Sequence, residues 1–248
     1  MRPPARFWGP WATLGLGIAV IVVSVIVQAI ITIVFVIVEL APISREDLDI
    51  FDYPALLERI DMGLLISLSI IISAVVCLCL IYLFIRARRG APFGEYIGLR
   101  RISVKAVIVA LAVIVGFIIL SALINYALDI TAETDVMTEA YMTSVWPALF
   151  WIAAVVFAPV FEEVFFRGFL FEGFRNSRMG VIGAILLTSF FWSVSHLQYN
   201  LFQIAAIFVL GILLGIARYR TGTIWAPLIM HVFNNILAVL FIAIEFGI

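Results

Sequence analysis

The stretch PALFWIAAVVFAPVFEEVFFRGFLF, residues Pro147–Phe171, decides the fold. At 1.5 Å per residue, an α-helix of this length spans the roughly 30 Å hydrocarbon core of a bilayer. Its only ionisable residues are Glu162, Glu163 and Arg167. The remainder is apolar on every face, so the helix has no side suited to water. Similar runs occur along most of the chain. Many are rich in β-branched residues, which favour strands in water. In lipid, however, each backbone amide must be paired within its own segment, so helix is the expected form.

The composition agrees. Apolar residues make up 65% of the 248, charged residues only 12%, and mean hydropathy is +1.21. A soluble domain carries about a quarter charged residues. A net charge of −1, scattered along the chain, excludes a basic nucleic-acid stripe. Cys77 and Cys79 are two apart in an apolar run, so they point to different helix faces. That argues against a disulfide or a metal clip, and both read as packing or lipid-facing residues.

Outward from Pro147–Phe171, span-length runs give an all-α, multi-pass bundle of about seven spans: 10–42, 62–85, 105–128, 147–171, 180–198, 201–217 and 223–246. The first run follows Arg2 and Arg6 and extends from about Trp8 to Ile43, too long for the core of a cleavable signal peptide. With no internal repeat, linker or low-complexity segment, residues 1–248 read as a single membrane domain, its N-terminal spans within 1–140.

Loop charges predict the orientation. Arg86, Arg88, Arg89, Arg100, Arg101 and Lys105 follow the second span, Arg175 and Arg178 the fourth, and Arg218 and Arg220 the sixth. The intervening loops are acidic, with Glu46, Asp47, Asp49, Asp52, Glu58 and Asp61 in one and Asp129, Glu133, Asp135 and Glu139 in the next. By the positive-inside rule the N-terminus is cytoplasmic and the C-terminus outside.

Ionisable residues inside lipid are expensive and so point to function. Glu163 and Arg167 are i,i+4 with the acid first, the favourable order for an ion pair. Glu162, rotated about 100° away, has no partner on its helix and is free to carry a proton. The only two histidines lie in other predicted spans: His196 in Phe191-Trp192-Ser193-Val194-Ser195-His196, and His231 in His231-Val232-Phe233-Asn234-Asn235. His231 and Asn235 share a helix face, whereas Asn234 points elsewhere. A histidine supplies acid, base, donor or metal-ligand chemistry, and an asparagine a neutral donor. Singly, each could be interhelical glue, but together they read as a site. Glu172 and Glu245 read as solvated boundary residues, Asn200 as an outer-interface residue, and Gln28 and Asn125 as packing contacts.

The order Glu162-Glu163-x-x-x-Arg167, Trp192-x-x-x-His196, His231-x-x-x-Asn235 resembles the CPBP family, the CAAX-protease and bacteriocin-processing group, also called Abi or type II CAAX endopeptidases. The match covers roughly residues 145–246. It departs at Trp192, where that family usually has Phe. The resemblance implies an intramembrane endopeptidase, with 145–246 as the catalytic core. Glu162 and His196 would activate a water, and His231 and Asn235 would stabilise the oxyanion. The family is also described as metalloprotease, for which Glu162, His196 and His231 would form a zinc triad. It further implies a membrane-bound or lipidated protein or peptide as substrate, acted on within the lipid bilayer. The excess of Arg over Lys points to a GC-rich bacterial genome, hence to a bacterial inner membrane and away from prenylated substrates. Two other classes compete, a proton-coupled transporter and a non-proteolytic scaffold or immunity protein. The first usually shows repeated halves, which this sequence lacks.

The expected depths do not align. From the cytoplasmic ends of their spans, Glu162 lies about 18 Å in, His231 about 13 Å and His196 about 24 Å. Convergence requires tilt, a kink at Pro159, or an adjustment at Gly180 and Gly183.

Overall fold

A computed structural model describes residues 7–40, 60–128 and 136–245. Arg2, Arg6, the acidic residues at 46–58 and 129–135, and the outer ends of the first and last predicted spans lie outside the described residues. The described residues form helices and no strand: α1 Pro10–Leu40, α2 Met62–Arg88, α3 Phe93–Ile97, α4 Val104–Ala127 and α5 Val136–Met142. These are followed by α6 Pro147–Arg175, α7 Gly180–Val194, α8 Leu201–Thr221 and α9 Trp225–Glu245.

Six of these, α1, α2, α4, α6, α8 and α9, are long and apolar enough to cross a membrane. The fifth predicted span, 180–198, is shorter than expected. α7 has 15 residues, about 22 Å. It ends early because side chains compete for its last carbonyls. Ser193 Oγ donates to Phe190 O at 2.9 Å and Ser195 Oγ to Trp192 O at 2.7 Å. His196 therefore lies in the turn after α7 rather than in a span. Asn200 then starts α8 through a reciprocal capping box with Gln203, which is the role of a residue read as merely interfacial.

α6 is the central element, packing against α1, α2, α3, α7, α8 and α9. Every residue from Glu163 to Phe174 is buried, as a helix apolar on all sides requires. α7 and α8 approach most closely where small residues allow it. A Cβ on Gly211 would lie 2.9 Å from Ser189 Cβ, and one on Gly215 3.0 Å from Ile185 Cγ2.

At the basic end, Gly98 adopts φ +78°, and its carbonyl accepts from Ile224 N at 3.0 Å. Tyr96 is fully buried beside it; its hydroxyl accepts from Trp8 N at 3.3 Å, and burial pushes the phenol above its ordinary range.

Four readings of individual residues change or resolve. Glu172 is not solvated. It is 2% exposed and accepts from Arg218 Nη2 at 2.7 Å, with Arg175 Nε 2.8 Å from its other oxygen. The last turn of α8 delivers Arg218 over this carboxylate. Gln28 and Asn125 are exposed rather than packed. Cys77 is buried with Sγ 3.7 Å from Val20 O, whereas Cys79 is exposed, so one packs and the other faces outward.

Candidate active site

Glu162 ends a short α-helical stretch of α6, Ala158–Glu162, flanked by π-helical segments at Ala153–Phe157 and Glu163–Leu170. The kink expected at Pro159 takes this form. π turns within α-helices frequently mark functional sites, because the extra residue per turn re-aims side chains. Ala158 N donates to Ala153 O, five residues back. In that register the next donor would be Pro159, which has no N–H, and its acceptor would be Ala154 O. Asn235 Nδ2 donates to Ala154 O at 2.8 Å, supplying from α9 what the proline cannot.

Glu163 sits under this turn with 0% side-chain exposure, and so does Arg167. Arg167 Nη1 donates to Glu163 Oε1 at 3.0 Å, its Nη2 donates to Gly211 O at 3.2 Å, and its guanidinium carbon lies 4.5 Å from the Trp192 ring centroid. One side chain thus ties α6 to α7 and α8, combining an ion pair with a cation–π contact. Glu163 Oε1 also meets His231 Nδ1 at 2.9 Å. That contact fixes the imidazole, as a carboxylate on the far nitrogen of a catalytic histidine does. His231 Nε2 is then turned toward Glu162, 3.8 Å from Oε2. Glu163 Oε2 and Arg167 Nε are buried without hydrogen-bond partners among the described residues. The cluster is therefore costlier than a fully satisfied structural network would be.

Trp192 completes the arrangement. Its indole N–H donates to Glu162 Oε2. The ring stands edge-on to both histidines, with centroids 5.3 Å from His196 and 5.2 Å from His231. His196 is only partly buried and turns Nδ1 to Trp192 O at 2.8 Å. Glu162 is 19% exposed and His231 4%, so the site grades from dry to accessible along the Glu162–His231 line.

Of the six residues singled out in the sequence, four make direct contacts: Glu163 with Arg167 and His231, and His231 across 3.8 Å with Glu162. His196 joins them through Trp192, and Asn235 lies one turn beyond His231 with its amide on the α6 backbone. The indole donor escaped the sequence reading. Its only signal was an aromatic residue four before His196, noted as a departure from Phe and not for its N–H. The Glu172–Arg218 pair was missed because its partners are 46 residues apart.

The three residues considered for zinc do not gather as a ligand set. His231 and His196 each hold Nδ1 on an oxygen and keep Nε2 for another partner, as zinc-bound histidines also do, but the Trp192 indole holds the Glu162 oxygen nearest His231. Among the described residues, no three His, Cys, Asp or Glu groups converge on one point.

A helical membrane bundle enclosing carboxylates, an arginine and histidines belongs to the class of integral membrane proteins with a titratable centre at depth. The comparisons narrow that class. Residues 144–237 match the family model of the Rce1-like type II CAAX prenyl endopeptidases. An uncharacterised 24.3 kDa protein of Escherichia coli is 30% identical over 184 residues, covering 72% of this chain and 80% of that protein. No solved structure matches the chain. The chain belongs to the CPBP family, a family of CAAX-type intramembrane endopeptidases.

Proposed function

We propose that this protein is an endopeptidase that hydrolyses a peptide bond in a membrane-associated or lipidated protein or peptide, with 145–246 as its catalytic core. The observation that carries the reading is the 3.8 Å approach of His231 Nε2 to Glu162 Oε2, with His231 held from behind by buried Glu163. A water in contact with Glu162 is the nucleophile. Glu162 takes its proton as the water attacks the carbonyl carbon, then passes that proton to the leaving amine. His196, whose Nε2 is free of the contact made by Nδ1, steadies the water from the accessible side.

The tetrahedral intermediate carries a negative charge on oxygen. His231 answers it by donating from Nε2, its ring held at Nδ1 by the Glu163 carboxylate. Asn235 uses one N–H on Ala154 O and has a second for the oxyanion. Glu163 and Arg167 do not touch substrate in this scheme; they position His231. The basic loops after α2, α6 and α8 support a cytoplasmic N-terminus in this reading, which takes the membrane to be a bacterial inner membrane.

Proteomics of membrane-protein C-termini, comparing wild type with Glu162→Ala at equal abundance, tests the function. New C-termini should appear in wild-type membranes and vanish in the variant. Identical C-termini in both would overturn the proposal and leave a scaffold role.

A further inference from the structure

α1 has 31 residues, about 46 Å, more than the bilayer core requires. Its inner half packs on the bundle, with a Cβ on Gly17 meeting Leu170 at 2.8 Å and Val20 fully buried. Its outer half does not: Val25, Ile30, Ile33 and Ile37 are 61%, 55%, 59% and 61% exposed. Lipid covers such side chains at no cost, so their exposure alone asks for nothing.

Gln28 does ask for something. It is exposed on this face, and its one hydrogen bond among the described residues is from Nε2 to Ser24 Oγ at 3.0 Å. The nearest charge on its helix is Glu39, about 16 Å further along the axis, with apolar residues nearly throughout between them. The amide oxygen and the second N–H thus face hydrocarbon, where no water offers a partner. Thr32, four residues on, is exposed as well. Gln28 and Thr32 form a short polar stripe at i,i+4 spacing on an otherwise apolar lipid-facing surface, while half-buried Ser24, which also meets Cys77 of α2, holds the Gln28 amide from the seam between α1 and α2.

We infer that this stripe pairs α1 with the α1 of a second copy of the chain in the same membrane, with Gln28 against Gln28 at its centre. A two-fold axis along the membrane normal brings each residue to its own counterpart at the same depth. A glutamine amide carries both donor and acceptor, so two Gln28 side chains satisfy each other reciprocally. A foreign helix would need a matching amide at that one depth, whereas a second copy has one by construction. Thr32 flanks the pair with a short side chain that permits close approach.

The test uses full-length protein reconstituted in phosphatidylcholine vesicles. Energy transfer between donor- and acceptor-labelled copies, followed as lipid dilutes the protein, should report association. Gln28→Leu should weaken it at least tenfold. In a background lacking Cys77 and Cys79, Thr32→Cys should form an oxidative cross-link between copies, and Ile30→Cys, on the opposite side of α1, should not. Transfer no greater than that of non-associating copies at every dilution, equal association of Gln28→Leu and wild type, or equal cross-linking at 30 and 32 would each overturn the pairing. Preferential cross-linking of residue 32 to another protein in native membranes would do the same.

Discussion

Glu163 is gripped from two sides, by Arg167 Nη1 at 3.0 Å and His231 Nδ1 at 2.9 Å, and all three side chains are essentially buried. Removing one member of a buried charge pair leaves the other uncompensated, which costs about 3–5 kcal/mol, whereas removing both is far milder. Arg167→Leu should therefore lower the thermal midpoint in detergent markedly, and Glu163→Leu combined with Arg167→Leu should recover most of the loss. Equal midpoints for the single and double variants would show that the pair is not what holds the bundle there. This pair was legible in the sequence because its spacing lies within one helix turn. The indole of Trp192 was not. Its contact to Glu162 spans 30 residues and two helices, and nothing local to Trp192 marks its N–H as a donor to a carboxylate.

Helix periodicity finds elements but not the exceptions within them. α6 was placed correctly as a span, yet its π segments depend on contacts from outside the helix. Asn235 donates to Ala154 O in the register where Pro159 has no N–H to give. The two residues should therefore be coupled. Asn235→Ala alone leaves a half-buried carbonyl unpaired and should cost about 1 kcal/mol of stability. In a Pro159→Ala background the restored amide can take over, so the same substitution should cost less, with a coupling of about 1 kcal/mol in a double-mutant cycle of unfolding free energies. Strict additivity would contradict this account of the π turn. The early end of α7 has a similar origin, because serine and histidine side chains take its last carbonyls. Apolar content carried the predicted span on to residue 198, whereas capping chemistry stops the helix at Val194.

At the scale of the whole molecule, the positive-inside rule predicts that the loops rich in arginine share one side of the membrane. Arg178→Cys, in the α6–α7 loop, should react with a membrane-impermeant thiol reagent only from the cytoplasmic side. Leu197→Cys, in the exposed α7–α8 turn, should react only from the outside. The reverse pattern would invert the topology. The multi-pass helical architecture was readable because lipid leaves the backbone few alternatives. How α6 meets six neighbours was not, because in lipid every face of a buried helix looks alike in sequence.

The central claim is that water, activated at Glu162 inside the bundle, attacks the peptide carbonyl directly. Isotope transfer tests this most directly. Protein reconstituted with a membrane-bound substrate found by C-terminal proteomics should cleave it in H₂¹⁸O and place ¹⁸O in the new C-terminal carboxylate in a single turnover. Glu162→Gln should retain the fold and release no labelled product. Undiminished cleavage by Glu162→Gln, or a first-turnover product free of label, would contradict the account.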